Sequence, residues 1–259
     1  MIKLIASDLD GTLLKNGAQE LNPRIYNIIK KLKEKNIYFA AASGRQHYNL
    51  KLLFEPVKDD IFYIAENGSL CICGKQVISR GLIERSLGLR IFQAVRERGG
   101  CHCLLSCEST SYTDSKDPEF IRHIQDIMHY DIRIVDDLSN ITEPFLKVSI
   151  CDFAGTDNIE AYFQELFKDE IKVVTSGMIW IDFIAPNANK GSALSDLAAY
   201  LGIEPDECMA FGDQYNDTEM LQFAGTSYAM ADGAPGISDY ATNVTDCVED
   251  VLEDFLKKL

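Results

Sequence analysis

The sequence predicts an α/β protein: a doubly wound, Rossmann-like parallel sheet with an α+β unit inserted into it. Three observations predict it. Several short runs, including Leu4–Ser7, Ile37–Ala42, Phe62–Ala65 and Cys208–Phe211, are apolar without period-2 alternation, the pattern of strands buried on both faces. These runs alternate with amphipathic helical stretches, which implies parallel strands joined by right-handed crossovers. The character changes near Gly81 and reverts at Asn187. The expected divisions are 1–82 for the first part of the core, 83–186 for the inserted unit and 187–259 for the second part of the core.

The first run, from Ile2, ends abruptly in Asp8-Leu9-Asp10-Gly11-Thr12. Asn22-Pro23 reads as an N-cap with proline in the first helical position. Ile25, Ile28, Ile29 and Leu32 then recur at helical spacing, with lysines near the end that suit the helix dipole. Ile37–Ala42 is a second strand ending in Ser43-Gly44-Arg45, with a helix after it to about Phe54. Phe62–Ala65 is a third, and Glu66-Asn67-Gly68 reads as a hairpin turn. Gly74-Lys75 suggests another turn before Val77–Arg80.

In the insert, Ile83–Arg98 is a charged amphipathic helix stopped by Gly99-Gly100. Strands are expected at His102–Ser106, Ser109–Thr113, Ile132–Val135 and Phe145–Cys151. Helices are expected after Pro118 and over Thr156–Phe167. A hairpin of Ile171–Thr175 and Met178–Ile184 turns at Ser176-Gly177. Hairpin strands separated by helices suggest an antiparallel sheet. The alternation then resumes: a helix from Lys190 to Leu201, a strand at Cys208–Phe211 ending in Gly212-Asp213, a helix at Thr218–Phe223, strands at Ser227–Met230 and Ala241–Val244, and a closing helix over Cys247–Lys258.

Apolar residues make up 46% of the 259, so a full core is available. The formal charge is −15, which opposes nucleic acid and anionic membrane as partners, since both need basic patches. A phosphorylated substrate would need a bound cation to offset the repulsion. The chain opens on no basic stretch followed by an apolar segment, and no apolar run is long enough to span a bilayer. A soluble cytoplasmic protein is the expectation, a monomer or weak homo-oligomer. Eight scattered cysteines read as reduced, mostly packed thiols.

Four sites share one address, the carboxyl end of a core strand or the first turn of a helix: Asp8/Asp10, Ser43, Lys190 and Asp213/Asn216/Asp217. Open α/β sheets place their ligand crevices there. Phosphoryl transfer needs what these residues supply. A carboxylate can attack phosphorus. Mg²⁺ takes oxygen ligands, one or two of them carboxylates. Lysine and hydroxyl groups orient the non-bridging oxygens. Read alone, the first stretch is also compatible with a plain Asx-turn.

Asp8-Leu9-Asp10-Gly11-Thr12, Ser43-Gly44-Arg45, Asn189-Lys190-Gly191 and Gly212-Asp213-Gln214-Tyr215-Asn216-Asp217 resemble, in order and spacing, the four motifs of the haloacid dehalogenase superfamily. The insertion between the second and third resembles the Cof-like branch of sugar and small-metabolite phosphatases, with a type IIB cap. The likeness covers essentially the whole chain. It implies Mg²⁺ as cofactor and a small phosphorylated metabolite as substrate. Asp8 would be nucleophile and metal ligand. Asp10 would be the general acid/base, lending the metal its backbone carbonyl. Asp213 would ligate the metal, with Asp217 supporting that shell. Thr12, Ser43, Gly44, Lys190 and Asn216 would hold the phosphate. Arg45 and Asn67 stand as possible substrate-side residues. The family often has glycine where Asn187 stands, and Asn can replace it in a positive-φ bend. It often has Glu where Asp182 stands, which leaves any hinge or substrate role there open.

Plainer alternatives accompany several positions. Ser43 could be only a helix N-cap, Lys190 a solvated first-turn lysine, Asn67 only a turn residue, and Asp217 only the orienter of a helix start. Cys101-His102-Cys103 with Cys107 invites zinc but lacks the usual knuckle spacing, and strand geometry points His102 away from its two neighbours. The leading function is Mg²⁺-dependent hydrolysis of small phosphorylated metabolites, sugar phosphates above all, through an aspartyl phosphate. The alternatives are a phosphosugar mutase and a non-catalytic phosphometabolite sensor. Two chain crossings, near 81–83 and 186–188, would permit hinge closure of the cap.

Overall fold

A computed structural model of the protein describes residues 1–259 apart from Gly177, so the expected turn at Ser176-Gly177 lies partly outside the described residues. Two compact units are formed, Met1–Arg80 with Asn189–Leu259, and Gly81–Ala188.

The first unit is built on an eight-stranded sheet. Its strands are β1 (Leu4–Asp8), β2 (Tyr38–Ala42), β3 (Phe62–Ala65), β4 (Leu70–Cys73) and β5 (Gln76–Arg80). After the insert come β12 (Cys208–Gly212), β13 (Thr226–Met230) and β14 (Asn243–Thr245). Their order is β14-β13-β12-β1-β2-β3-β4-β5. The pairs from β14 to β3 are parallel, and β4 and β5 are antiparallel additions at one edge. The chain leaves β1 toward β2 and β3, and after the insert returns to β12 on the other side of β1. That reversal opens a crevice at the carboxyl ends of β1, β2 and β12.

Helices cover both faces, as a doubly wound sheet requires. Leu4, Ala6, Ala40, Ala42, Phe62 and Ile64 pack with Ala193, Leu194 and Leu197 of α6 (Lys190–Leu201) and with Met220 and Leu221 of α7 (Thr218–Phe223). Helices α1 (Arg24–Glu34) and α8 (Val248–Lys257) bury Ile25, Ile28, Ile29, Leu32, Val248 and Leu252, and Arg24 bridges to Asp250 and Glu253 of α8. The start of α1 differs by one residue from the sequence reading. Pro23 holds the cap position with helical dihedrals, and Asn22 Oδ1 accepts from the Arg24 N–H at 3.1 Å. The cap chemistry of Asn22 survives because its side chain reaches the second residue on.

The second unit carries β6 (His102–Ser106), β7 (Ser111–Thr113), β8 (Ile132–Ile134), β9 (Lys147–Cys151), β10 (Lys172–Thr175) and β11 (Trp180–Ile184), in the order β10-β11-β9-β6-β7-β8. Its pairs are antiparallel except β7 and β8, which are parallel. The exception arises because α4 (Pro118–Arg122) and the turn after it form a crossover, and a crossover returns the chain parallel. One sheet face buries Cys103, Leu105, Val148, Ile150, Ile181 and Phe183 against α3 (Arg85–Arg98) and α5 (Glu160–Phe167). The other face is mixed. Leu104, Cys151 and Trp180 pack with Phe120 and Ile124. Beside them Ser149 Oγ donates to Asp182 Oδ1 at 2.6 Å, and Lys147 Nζ lies 3.5 Å from Asp182 Oδ2.

Asn187 is not among the residues with positive φ, so the glycine-like bend expected there does not form. The Ala188 N–H closes the turn on the Ala185 carbonyl instead, at 2.9 Å. The cysteines are free thiols. His102 stacks on Phe120 with centroids 4.6 Å apart, while Cys103 packs into the opposite face, so the Cys-His-Cys run does not converge on a metal. Burial pushes the thiols of Cys71 and Cys151 up to about 12, which keeps them unreactive.

Candidate active site

The three carboxyl ends beside the switch point supply the site. β1 delivers Asp8 as its last residue, with the side chain 6% exposed. The chain then folds back at once: the Thr12 and Leu14 N–H groups both donate to the Leu9 carbonyl, and the Gly11 N–H donates to Leu14. Gly11 takes φ +92°, and a Cβ there would lie 2.1 Å from Asp213 Oδ2. Only glycine fits both the bend and the approach of β12's loop.

Lys190 enters from the first turn of α6. Asn189 caps this helix by accepting from the Ser192 N–H at 2.7 Å, and the Asn189 N–H reaches back to Ser192 Oγ. A cation at a helix N-terminus opposes the dipole, and two carboxylates offset that here. Lys190 Nζ donates to Asp8 Oδ1 at 2.5 Å and to Asp217 Oδ1 at 2.6 Å, with its side chain 1% exposed. This lysine is not a solvated first-turn residue.

Asp217 uses both oxygens. Its Oδ2 accepts from the Asp213 and Gln214 N–H groups, each at 3.0 Å. It thereby fixes Lys190 and the loop that presents Asp213. Asp213 in turn accepts from Thr12 Oγ1 at 3.0 Å and from Gln214 Nε2 at 3.2 Å. Both Thr12 donors are engaged within the protein, the hydroxyl on Asp213 and the N–H on the Leu9 carbonyl.

One oxygen of each of Asp8, Asp213 and Asp217 falls within 4.8 Å of the others. Burial pushes the Asp8 carboxyl well above the usual carboxylate range; the charge of Asp217 adds to this and the Lys190 ammonium opposes it. Asp213 is raised by burial and then by Asp217. Burial alone would lower Lys190, but Asp217 and Asp8 outweigh it and hold the ammonium protonated. Three buried carboxylates against one ammonium leave surplus negative charge in a low-dielectric place, a hard oxygen-donor setting for a divalent cation.

The remaining expected residues form a second group. Ser43 follows β2, and its N–H donates to the Ile64 carbonyl. It is not a helix cap: α2 (His47–Leu53) starts four residues later, with Gln46 in the cap position. The β3–β4 hairpin carries Asn67 at φ +56°, and its N–H donates to the Ser43 carbonyl at 3.0 Å. Asn67 Oδ1 accepts from Asn216 Nδ2 at 3.1 Å, and a Cβ on Gly44 would meet that same oxygen at 2.9 Å. Asn67 is thus both a turn residue and a neighbour of Ser43-Gly44 and Asn216. Asp10 lies apart from the buried carboxylates. Its side chain is 53% exposed and paired to Arg45. Gln214, which donates to Asp213, and Asn49, which accepts from Arg45, carry no role that the sequence discloses. Both act on residues already singled out, and neither belongs to a recognisable pattern.

A family model described as haloacid dehalogenase-like hydrolase matches residues 5–253. The chain is 27% identical to 5-amino-6-(5-phospho-D-ribitylamino)uracil phosphatase of Escherichia coli over 99% of this chain and 97% of that protein. It is 26% identical to HMP-PP phosphatase of Klebsiella pneumoniae over 99% of this chain and 95% of that one. Among solved structures, a Streptococcus mutans protein superposes with TM-score 0.85 at 27% identity, covering 99% of this chain and 100% of that one. A Thermotoga maritima protein does so with TM-score 0.87 at 25% identity, covering 98% and 97%. With the sheet order, the insert and the four motifs in place, the chain belongs to the haloacid dehalogenase-like hydrolases, in the Cof-like branch whose curated relatives are phosphatases.

Proposed function

We propose that this protein is a Mg²⁺-dependent, cytoplasmic phosphatase of small phosphorylated metabolites, sugar phosphates first among them, acting through an aspartyl phosphate on Asp8. The observation that carries this reading is the buried Asp8–Lys190–Asp217 bridge beside Asp213. A carboxylate, a fixed cation and a surplus of negative charge meeting at one strand end support Asp8 as the nucleophile. The substrate class draws support from the relatives, one of them named for a phosphorylated D-ribityl compound.

In the first step an Asp8 carboxylate oxygen attacks phosphorus, and the bond from phosphorus to the leaving oxygen breaks. A proton passes from the Asp10 carboxyl to that oxygen, releasing the alcohol. In the second step the Asp10 carboxylate takes a proton from water as that water attacks phosphorus. The acyl phosphate bond breaks, inorganic phosphate leaves, and Asp8 is regenerated. Lys190, Ser43, Gly44 and Asn216 hold the phosphoryl oxygens, with Asn67 buttressing Gly44 and Asn216.

The residues fit the metal. Asp8 Oδ2 is buried and has no hydrogen-bond partner among the described residues, and the three carboxylates offer hard oxygen donors. Asp8, Asp213 and the Asp10 carbonyl would hold Mg²⁺, with Asp217 behind them. Mg²⁺ there would neutralise charge on the phosphoryl oxygens.

Phosphate release measured across phosphorylated sugars, nucleotides and pyridoxal phosphate tests the proposal. Turnover of several small substrates is the expected result. Sugar-phosphate interconversion without net phosphate release would identify a mutase instead, and no turnover on any member would favour a sensor.

A further inference from the structure

Asp10 poses a positioning problem. Its side chain stands outside the buried cluster, 53% exposed against 6% for Asp8. An aspartate on an exposed turn samples several rotamers, whereas an acid/base must be held within hydrogen-bond reach of the reacting oxygen. The structure supplies the restraint from another element. Arg45 Nε donates to Asp10 Oδ2 at 2.8 Å, and Arg45 Nη2 donates to Asp10 Oδ1 at 2.6 Å. The two parallel bonds match a planar guanidinium to a planar carboxylate and fix the plane of the carboxylate as well as its place. The partners are 35 residues apart, so this is no local turn contact.

Arg45 is itself held. Its Nη1 donates to Oδ1 of buried Asn49 at 3.1 Å. Its backbone N–H donates to Ser43 Oγ at 3.1 Å, and its carbonyl accepts from the Glu66 N–H at 3.1 Å. The guanidinium is thus aimed at Asp10 from a frame made by the Ser43 loop, the first turn of α2 and the β3–β4 hairpin. Nε, Nη1 and Nη2 each have a protein acceptor, an arrangement built to orient a side chain rather than to wait for a substrate.

We propose that Arg45, braced by Asn49, is the positioning residue for the Asp10 carboxylate. The inference rests on the acid/base role of Asp10 in the phosphatase reading above. The pair holds the Asp10 carboxyl group in one plane and one place. Arg45 then acts through Asp10 and has no independent effect on the chemistry.

A double-variant cycle read by rapid quench with p-nitrophenyl phosphate tests this. Arg45→Ala should still give a nitrophenolate burst near one enzyme equivalent, which also shows that it folds. Its later turnover should fall ~10–100-fold, the cost of a misplaced group. In an Asp10→Ala background Arg45→Ala should cause no further loss. Millimolar guanidinium should restore part of the turnover of Arg45→Ala and none of that of the double variant. If Arg45→Ala gives no burst, Arg45→Lys takes its place, with the same loss and the same non-additivity expected. Additive losses, or a raised KM with unchanged turnover after the burst, would overturn the proposal and make Arg45 a substrate contact. Failure of the underlying reading looks different: Asp10→Ala alone would then lose burst and turnover in equal measure.

Discussion

Thr12 Oγ1 donates to Asp213 Oδ1, so the hydroxyl orders a carboxylate of the proposed metal site. Groups behind a metal ligand typically change metal affinity ~10–100-fold when removed. Thr12→Val should therefore raise the Mg²⁺ concentration needed for half-maximal activity about tenfold. At saturating Mg²⁺ the KM for substrate should stay near the wild-type value, and a raised KM there would return Thr12 to the phosphate. The residue scale also shows what the sequence can disclose. The meeting of Asp8, Lys190 and Asp213 could be foreseen because each stands at the end of a core strand or the first turn of a helix, the places that border the crevice of an open α/β sheet. The bond from the Thr12 hydroxyl, the saturation of both Asp217 oxygens and the grip of Arg45 on Asp10 could not. Each depends on a partner 27 to 201 residues away and on side-chain direction, which no local pattern encodes.

Among the elements, the β3–β4 hairpin and α2 frame the second half of the site. Gly68 at the hairpin tip has φ +92°, and a Cβ there would lie 2.1 Å from the Asn189 carbonyl at the cap of α6. Neither backbone can yield without moving Asn67 or Lys190. Gly68→Ala should cost ~2 kcal/mol or more, lower Tm by several degrees and reduce activity with it. A variant with unchanged Tm and full activity would mean that the hairpin is free to shift. At the start of α2, His47 packs edge-on to Tyr63 with centroids 5.0 Å apart, and its Nε2 is buried with no partner among the described residues. Burial, with a smaller push from Lys51, lowers its pKa to about 4. The unfolded chain thus binds a proton here near pH 6.5 while the folded protein does not. This contribution to stability is full above the unfolded pKa and is lost as pH falls from there toward about 4. His47→Phe should flatten the decline of Tm over that window, and an unchanged slope would remove His47 as its source. The elements themselves were largely legible, because buried parallel strands and amphipathic helices have different periods. The parallel β7–β8 pair was not, since pairing direction depends on the path of the crossover between them.

At the scale of the whole molecule, a formal charge of −15 surrounds a site that must admit a phosphate. Three buried carboxylates already outnumber the one ammonium among them, so a phosphate dianion would meet repulsion unless a cation is present. EDTA should abolish phosphate release and added Mg²⁺ should restore it, whereas full turnover in metal-free buffer would rule out a metal-dependent reaction. The central claim is that phosphorus passes through Asp8. Acid-quench trapping of the phosphoenzyme tests it most directly. Asp10→Ala mixed with a labelled aryl phosphate should accumulate close to one equivalent of protein-bound phosphate, stable to acid, released by hydroxylamine and located on the peptide containing Asp8. Asp8→Ala should trap none. Label on another residue, or none in Asp10→Ala while the wild type still turns over, would contradict the aspartyl-phosphate account.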